Sequence, residues 1–212
     1  MLKKIIYSLC FFAVILVAFS CHNNQPKLVP ADKDILLKPL DEFTTDELKK
    51  LRVRIITDYG DIIIGFYPEK APATVKNFIK LVREGFYDNL KFHLLVPHHM
   101  IVGGDPKGDG TGGPGYFIKP EFNDLPHKRG AVGMFHPPLR VDMIGSQFYI
   151  MIADDPTKTN AYPVFGYVEK GLDVADRISE LPNEGPHSKP YPWKAKVPAT
   201  IKKMELLVEV KK

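Results

Sequence analysis

The chain has 212 residues, 44% of them hydrophobic, a length that suits one domain of ordinary size with a real core. Its 29 Lys and Arg against 25 Asp and Glu give a formal charge of +4, and neither a basic face nor a recognised motif marks it for nucleic acid.

The amino terminus carries Lys3 and Lys4 and then runs apolar over residues 5–19, interrupted only by Tyr7, Ser8 and Cys10. A short basic start, a compact apolar stretch and small residues before a break are the parts of a secretory signal. The stretch falls short of the roughly 20 apolar residues that a permanent membrane span needs. Residues 1–20 therefore read as a cleavable signal, whose removal takes Lys3 and Lys4 with it and lowers the formal charge to +2. The break falls at Cys21, after Val17-Ala18-Phe19-Ser20. This resembles the cleavage box of bacterial lipoproteins, with Ala18 where leucine is usual. The resemblance implies lipidation of Cys21, where several acyl chains anchor firmly and one chain alone only marginally. The place expected for the chain is the bacterial cell envelope, membrane-anchored and facing the periplasm. Cys10 lies inside the signal, so the mature chain has no partner for an internal disulfide.

Residues 22–39 are polar with scattered proline and read as a tether. Thr44 and Glu47 have capping-box spacing, which predicts a short linker helix over 45–51. Anchor, tether and linker helix together make residues 21–51, and the folded domain is expected over 52–212. VRIITDYGDIIIGFYP reads as two strands joined at Asp58-Tyr59-Gly60-Asp61, with glycine where a positive φ is needed. Val75, Phe78, Ile79 and Val82 then recur at helical spacing, with Gly85 as the stop. KFHLLVP and HHMIVGGD return to strand composition.

Residues 103–115 form a glycine-rich loop containing Gly108, Gly110 and Gly113 at dinucleotide-fingerprint spacing. That fingerprint must open a helix, and here Pro114 and Gly115 follow, so no cofactor is expected. Further strands are expected over 130–134, 146–152, 164–168 and 202–210, with a second helix over 172–181. Residues 182–198 carry five prolines and read as an extended loop. Many short strands plus two helices argue for a mainly β fold, a closed barrel or a β-rich α+β domain.

Several stretches in order, YGDIIIGFYPEKAPATVKNF, GFYDNLKFH, GGDPKGDGTGGPGY, GSQFYI and PVFGYVEKGLDV, together resemble the cyclophilin family of peptidyl-prolyl isomerases over roughly residues 52–181. The resemblance implies an eight-stranded antiparallel barrel capped by two α-helices. It also implies rotation about the bond preceding proline, against an amide-resonance barrier of about 18–20 kcal/mol. No nucleophile, metal or cofactor is needed. The family places an arginine beside the prolyl amide, aided by a glutamine and an aromatic-lined pocket.

Much of that site is altered in this chain. Leu94 stands at the family's arginine position and Val102 at its glutamine position, so no catalytic residue is assigned. Met100 is kept, His99 replaces a pocket phenylalanine, and Gln147 is retained. Tyr149 stands in for another phenylalanine, and Phe135 replaces a small residue of the groove wall. These five, Met100, Gln147, Tyr149, His99 and Phe135, are the candidate substrate-binding residues. The family's tryptophan, leucine and histidine positions fall at Thr157, Lys158 and Tyr162. Arg140 is near the groove wall in sequence and is read as exposed, as arginine usually is.

His93, His98, His99 and His136 could suggest a metal, but no cysteine or clearly placed acid completes a ligand set and none is expected. Phe66, Tyr67, Phe78, Phe86 and Phe92 read as core. Trp193 is expected to staple the late loop to the barrel, with a contact surface as the alternative reading. Two functions follow. One is an extracytoplasmic isomerase acting weakly on X-Pro bonds of exported proteins. The other is a cyclophilin-fold chaperone or adaptor, without catalysis, that binds proline-containing segments. The expected partners are those segments and the membrane, and a monomer is expected.

Overall fold

The computed structural model describes residues 26–136, 141–142, 144–189 and 192–210. The expected signal, Cys21 and Arg140 lie outside the described residues.

The described chain is mainly β. Its nine strands are β1 (Lys27–Pro30), β2 (Leu51–Thr57), β3 (Gly60–Phe66), β4 (Leu94–Val96), β5 (Met100–Gly103), β6 (Ala131–Met134), β7 (Phe148–Met151), β8 (Val164–Lys170) and β9 (Ile201–Val210). Four helices accompany them, α1 (Lys33–Leu37), α2 (Thr45–Lys50), α3 (Pro72–Arg83) and α4 (Leu172–Ser179). The strands form one antiparallel sheet in the order β1-β9-β2-β3-β8-β6-β7-β5-β4. The sheet curls until the chain around β4 meets the chain entering β9. Phe92 N–H donates to the Ala199 carbonyl (3.0 Å), Ile201 N–H to Leu90 (2.7 Å), and Lys91 bridges Thr200. Irregular backbone thus joins the β4 end of the sheet to β9 in a barrel-like body, in keeping with the antiparallel barrel the resemblance implies, with β1 added outside β9.

β2 and β3 form because a run of β-branched residues is interrupted by a tight turn. Gly60 takes φ +126°, and the Thr57 hydroxyl accepts from Tyr59 N–H and donates to the Gly60 carbonyl. α3 buries Val75, Phe78, Ile79 and Val82 in the barrel interior, with Phe78 against Tyr87, Phe148 and Phe165. Ala71 at its start offers no capping side chain, so the cap comes from elsewhere. The Glu121 carboxylate accepts from Ala73 N–H (3.1 Å) and from Thr74 N–H (2.8 Å). α4 contributes Val174, Ala175 and Ile178 to the same core.

Residues 27–39, expected as tether, are instead built into the body. β1 pairs with β9, and the Arg83 guanidinium donates to the carbonyls of Ile35 (2.5 Å) and Lys38 (2.8 Å). The reason is long-range: β1 satisfies a strand edge at the far end of the chain, which local composition does not encode. The expected linker helix is α2, closed by the reciprocal Thr44–Glu47 capping box and anchored by buried Leu48 and Phe43. Among the described residues no helix is long and apolar enough to cross a membrane.

Candidate active site

The outer face of the curled sheet carries a second apolar cluster, separate from the interior. Leu94, Val102, Ala131, Tyr149, Met151 and Val164 are buried there, and Met100, Phe135, Tyr162 and Trp193 pack around them half-buried. The registers explain why. Leu94 opposes Val102, Val102 opposes Tyr149, and Tyr149 opposes Gly133, so these four lie on one rung across β4, β5, β7 and β6. The neighbouring rung is Val96, Met100 and Met151. A rung places side chains on one face at van der Waals distance. Leu94, Val102 and Tyr149 present to this face a chain of apolar and aromatic groups with no cation.

Tyr149 lies flat over Gly133. A β-carbon there would fall 2.1 Å from the tyrosine oxygen, so only glycine admits the ring. The Tyr149 hydroxyl hydrogen-bonds Nε2 of His127 (2.5 Å). His127 itself is buried at the cluster's border, and burial together with the nearby Lys158 charge lowers its pKa to about 4. The ring is neutral near pH 7, and burial holds the Tyr149 hydroxyl well above its usual range.

The other candidate residues surround this floor. His99 pairs with the Asp155 carboxylate (2.9 Å), and that carboxylate also caps the one-turn 3-10 helix at Pro156–Lys158. Lys158 lies over the Tyr162 ring (4.9 Å), and Tyr162 stacks on His136 (4.3 Å between centroids). Thr157, expected at the family's tryptophan position, is exposed and bonded to Asp155. Phe135 is half-buried on the cluster. Gln147 faces the glycine-rich loop, where its amide donates to the carbonyls of Gly110 (3.0 Å) and Gly112 (2.9 Å). That loop wraps the Asp105 carboxylate, which accepts from the N–H groups of Lys107, Asp109 and Gly110. No helix follows it. Among the described residues no group of three His, Cys, Asp or Glu side chains converges as a metal site would require.

Two contributors escape the sequence reading, and the expected staple at Trp193 gains its partners. His127 sits in a polar loop with no spacing signal. Asp155 is recognisable only once it holds His99. The late segment folds back on β4, with Leu95 N–H donating to the Trp193 carbonyl (2.9 Å) and Ala195 N–H to His93 (2.9 Å). Trp193 thereby staples that segment to the barrel.

A barrel-like antiparallel body with helices packed into its core carries a second apolar cluster on its outer face, beside a glycine-rich loop tied down by Gln147. Residues 52–205 match the family model described as cyclophilin type peptidyl-prolyl cis-trans isomerase/CLD. Peptidyl-prolyl cis-trans isomerase B of Bacillus subtilis is 45% identical over 127 residues, covering 59% of this chain and 87% of that protein. A Helicobacter pylori peptidyl-prolyl cis-trans isomerase is 39% identical over 144 residues, covering 66% and 87%. The crystal structure of a Cryptosporidium parvum cyclophilin with the dipeptide Ala-Pro superposes at TM-score 0.65 with 29% identity, over 75% of this chain and 99% of that one. The chain belongs to the cyclophilin-type peptidyl-prolyl cis-trans isomerases.

Proposed function

We propose that this cyclophilin is a slow isomerase of the bacterial cell envelope, lipid-anchored through Cys21 and acting as a monomer on X-Pro segments of exported proteins. The observation that carries the slow rate is the Leu94–Val102–Tyr149 rung, apolar where the family sets an arginine, a glutamine and a phenylalanine. Twisting a prolyl amide needs donors that favour the transition state over the planar ground state. Loss of one such preorganised donor typically costs about 10²–10³ in rate. Burial of Leu94 among Val102 and Tyr149 supports a groove that still takes an apolar proline ring. The export reading is supported by the basic and apolar start of the sequence and by Cys21 at its break.

The test is cis/trans exchange of a short proline peptide by the chain from residue 22 and by its Leu94→Arg variant. The expected result is slow exchange by the first and faster exchange by the second. A rate equal to that of an arginine-bearing cyclophilin would sink the slow-isomerase reading. Binding with no exchange at all would establish instead the chaperone or adaptor reading, which the same apolar rung supports. Cys21→Ser should move the protein from the membrane fraction to the soluble fraction. An unchanged distribution overturns the anchor.

A further inference from the structure

The apolar rung does not end at Leu94. On its other side Leu94 is bridged, antiparallel, to Lys194 of the late segment. The flanking bonds, Leu95 N–H to Trp193 O and Ala195 N–H to His93 O, make Leu94 and Lys194 a non-hydrogen-bonded pair. That pairing brings cross-strand side chains closest and sets them on one face. Lys194 therefore stands beside the residue at the family's arginine position, on the groove side. Its neighbour Ala195 packs against the interior core. Lys194 is half-buried, and among the described residues no carboxylate forms a salt bridge with it.

Trp193 reinforces the placement. It holds φ +62°, a left-handed conformation that a bulky side chain rarely adopts. Its N–H donates to the Gly185 carbonyl (2.8 Å) and its carbonyl accepts from Leu95, so the segment fixes this conformation from both sides. The half-buried indole packs on the Leu94 cluster. Backbone strain held in this way is concentrated at sites where a side chain must be presented in a set direction.

We propose that Trp193 and Lys194 are the aromatic and cationic substrate contacts of this groove, supplied by the late segment in place of the side chains absent at Thr157 and Leu94. The inference rests on the isomerase reading above and deepens it. Lys194 offers an ammonium N–H toward the prolyl amide as the C–N bond twists, and Trp193 forms the wall against residues flanking the proline. No bond breaks and no proton is transferred; the donor only weakens the amide conjugation that sets the barrier.

The test uses the full chain in mild detergent and a blocked Ala-Ala-Pro-Phe peptide. Trp193 is the only tryptophan, so its emission reports the groove directly. The expected results are a saturable emission shift on adding peptide, and a loss of about tenfold or more in kcat/KM for Lys194→Ala. Lys194→Arg should retain most of the rate, and Lys194→Ala should matter less in the Leu94→Arg background. A purely structural lysine would give equal losses in both backgrounds. Exchange without an emission shift, or with Lys194→Ala and Lys194→Arg alike unaffected, overturns the proposal. If the wild-type chain shows no exchange, the isomerase reading fails by itself. The emission shift and a weaker peptide Kd for Lys194→Ala then decide the groove assignment alone.

Discussion

The Tyr149 ring rests on the bare α-carbon of Gly133, with its hydroxyl tied to His127. The floor of the groove depends on this contact, because the ring fills the space where any other residue on β6 would project. Gly133→Ala places a methyl 2.1 Å from the tyrosine oxygen. Overpacking of this kind costs about 1–3 kcal/mol. Urea unfolding should show that loss, and the loss should shrink in a Tyr149→Leu background, since the two positions touch and are not additive. Equal losses in both backgrounds would place the strain elsewhere.

His127 gives the fold a pH dependence. Its folded pKa of about 4 lies below the ordinary histidine value of 6.5, so the unfolded chain takes up the proton first as pH falls. The contribution is complete above about pH 6.5 and is lost progressively toward pH 4. Buried His93, whose pKa is also lowered by desolvation, acts in the same direction. Denaturation midpoints should therefore fall across this window in the wild type, and less steeply in His127→Gln, which keeps a partner for the Tyr149 hydroxyl. An identical slope would remove His127 from the account.

Elements whose cause is local were legible in the sequence. The β2–β3 turn shows in Gly60, α3 in the spacing of Val75, Phe78, Ile79 and Val82, and α2 in the Thr44–Glu47 pair. Family spacing singled out Leu94 and Val102, and the registers set the two opposite each other. What stayed hidden depends on contacts between distant parts of the chain. β1 exists because β9 has an open edge, α3 is capped by Glu121 from a loop, and the staple expected at Trp193 lands on the Leu94 cluster because the late segment pairs with β4. Gln147 was expected to bind substrate; its engagement by Gly110 and Gly112 required the loop's path.

That engagement makes Gln147, beside the Ser146–Gly104 bond, a link between the start of β7 and the glycine-rich loop. Gln147→Leu removes two hydrogen bonds to carbonyls, each with a net worth of about 0.5–1.5 kcal/mol. Amide hydrogen exchange over residues 105–113 should accelerate, while exchange in β2 and β3 stays slow. Asp105 still ties the N–H groups of Lys107, Asp109 and Gly110, so the loop should loosen without unfolding. Unchanged exchange in the loop would show that Asp105 alone organises it.

The docked amino-terminal segment sets the boundary of the stable unit. A chain that starts at residue 52, where the family match begins, loses Phe43 and Leu48 from the core and β1 from the edge of β9. Burying side chains of that size contributes about 1.5–3 kcal/mol each, so the truncated domain should be less stable by at least about 3 kcal/mol. A chain starting at residue 26 should keep full stability. Thr44→Ala tests the same contact within the intact chain, since it breaks the capping box of α2 and should cost about 0.5–2 kcal/mol. Arg83→Met goes further by removing the donors that hold the Ile35 and Lys38 carbonyls. Limited proteolysis should then cut within residues 27–39 well before the barrel. Resistance equal to the wild type would mean that β1 and the capped α2 hold the segment without Arg83.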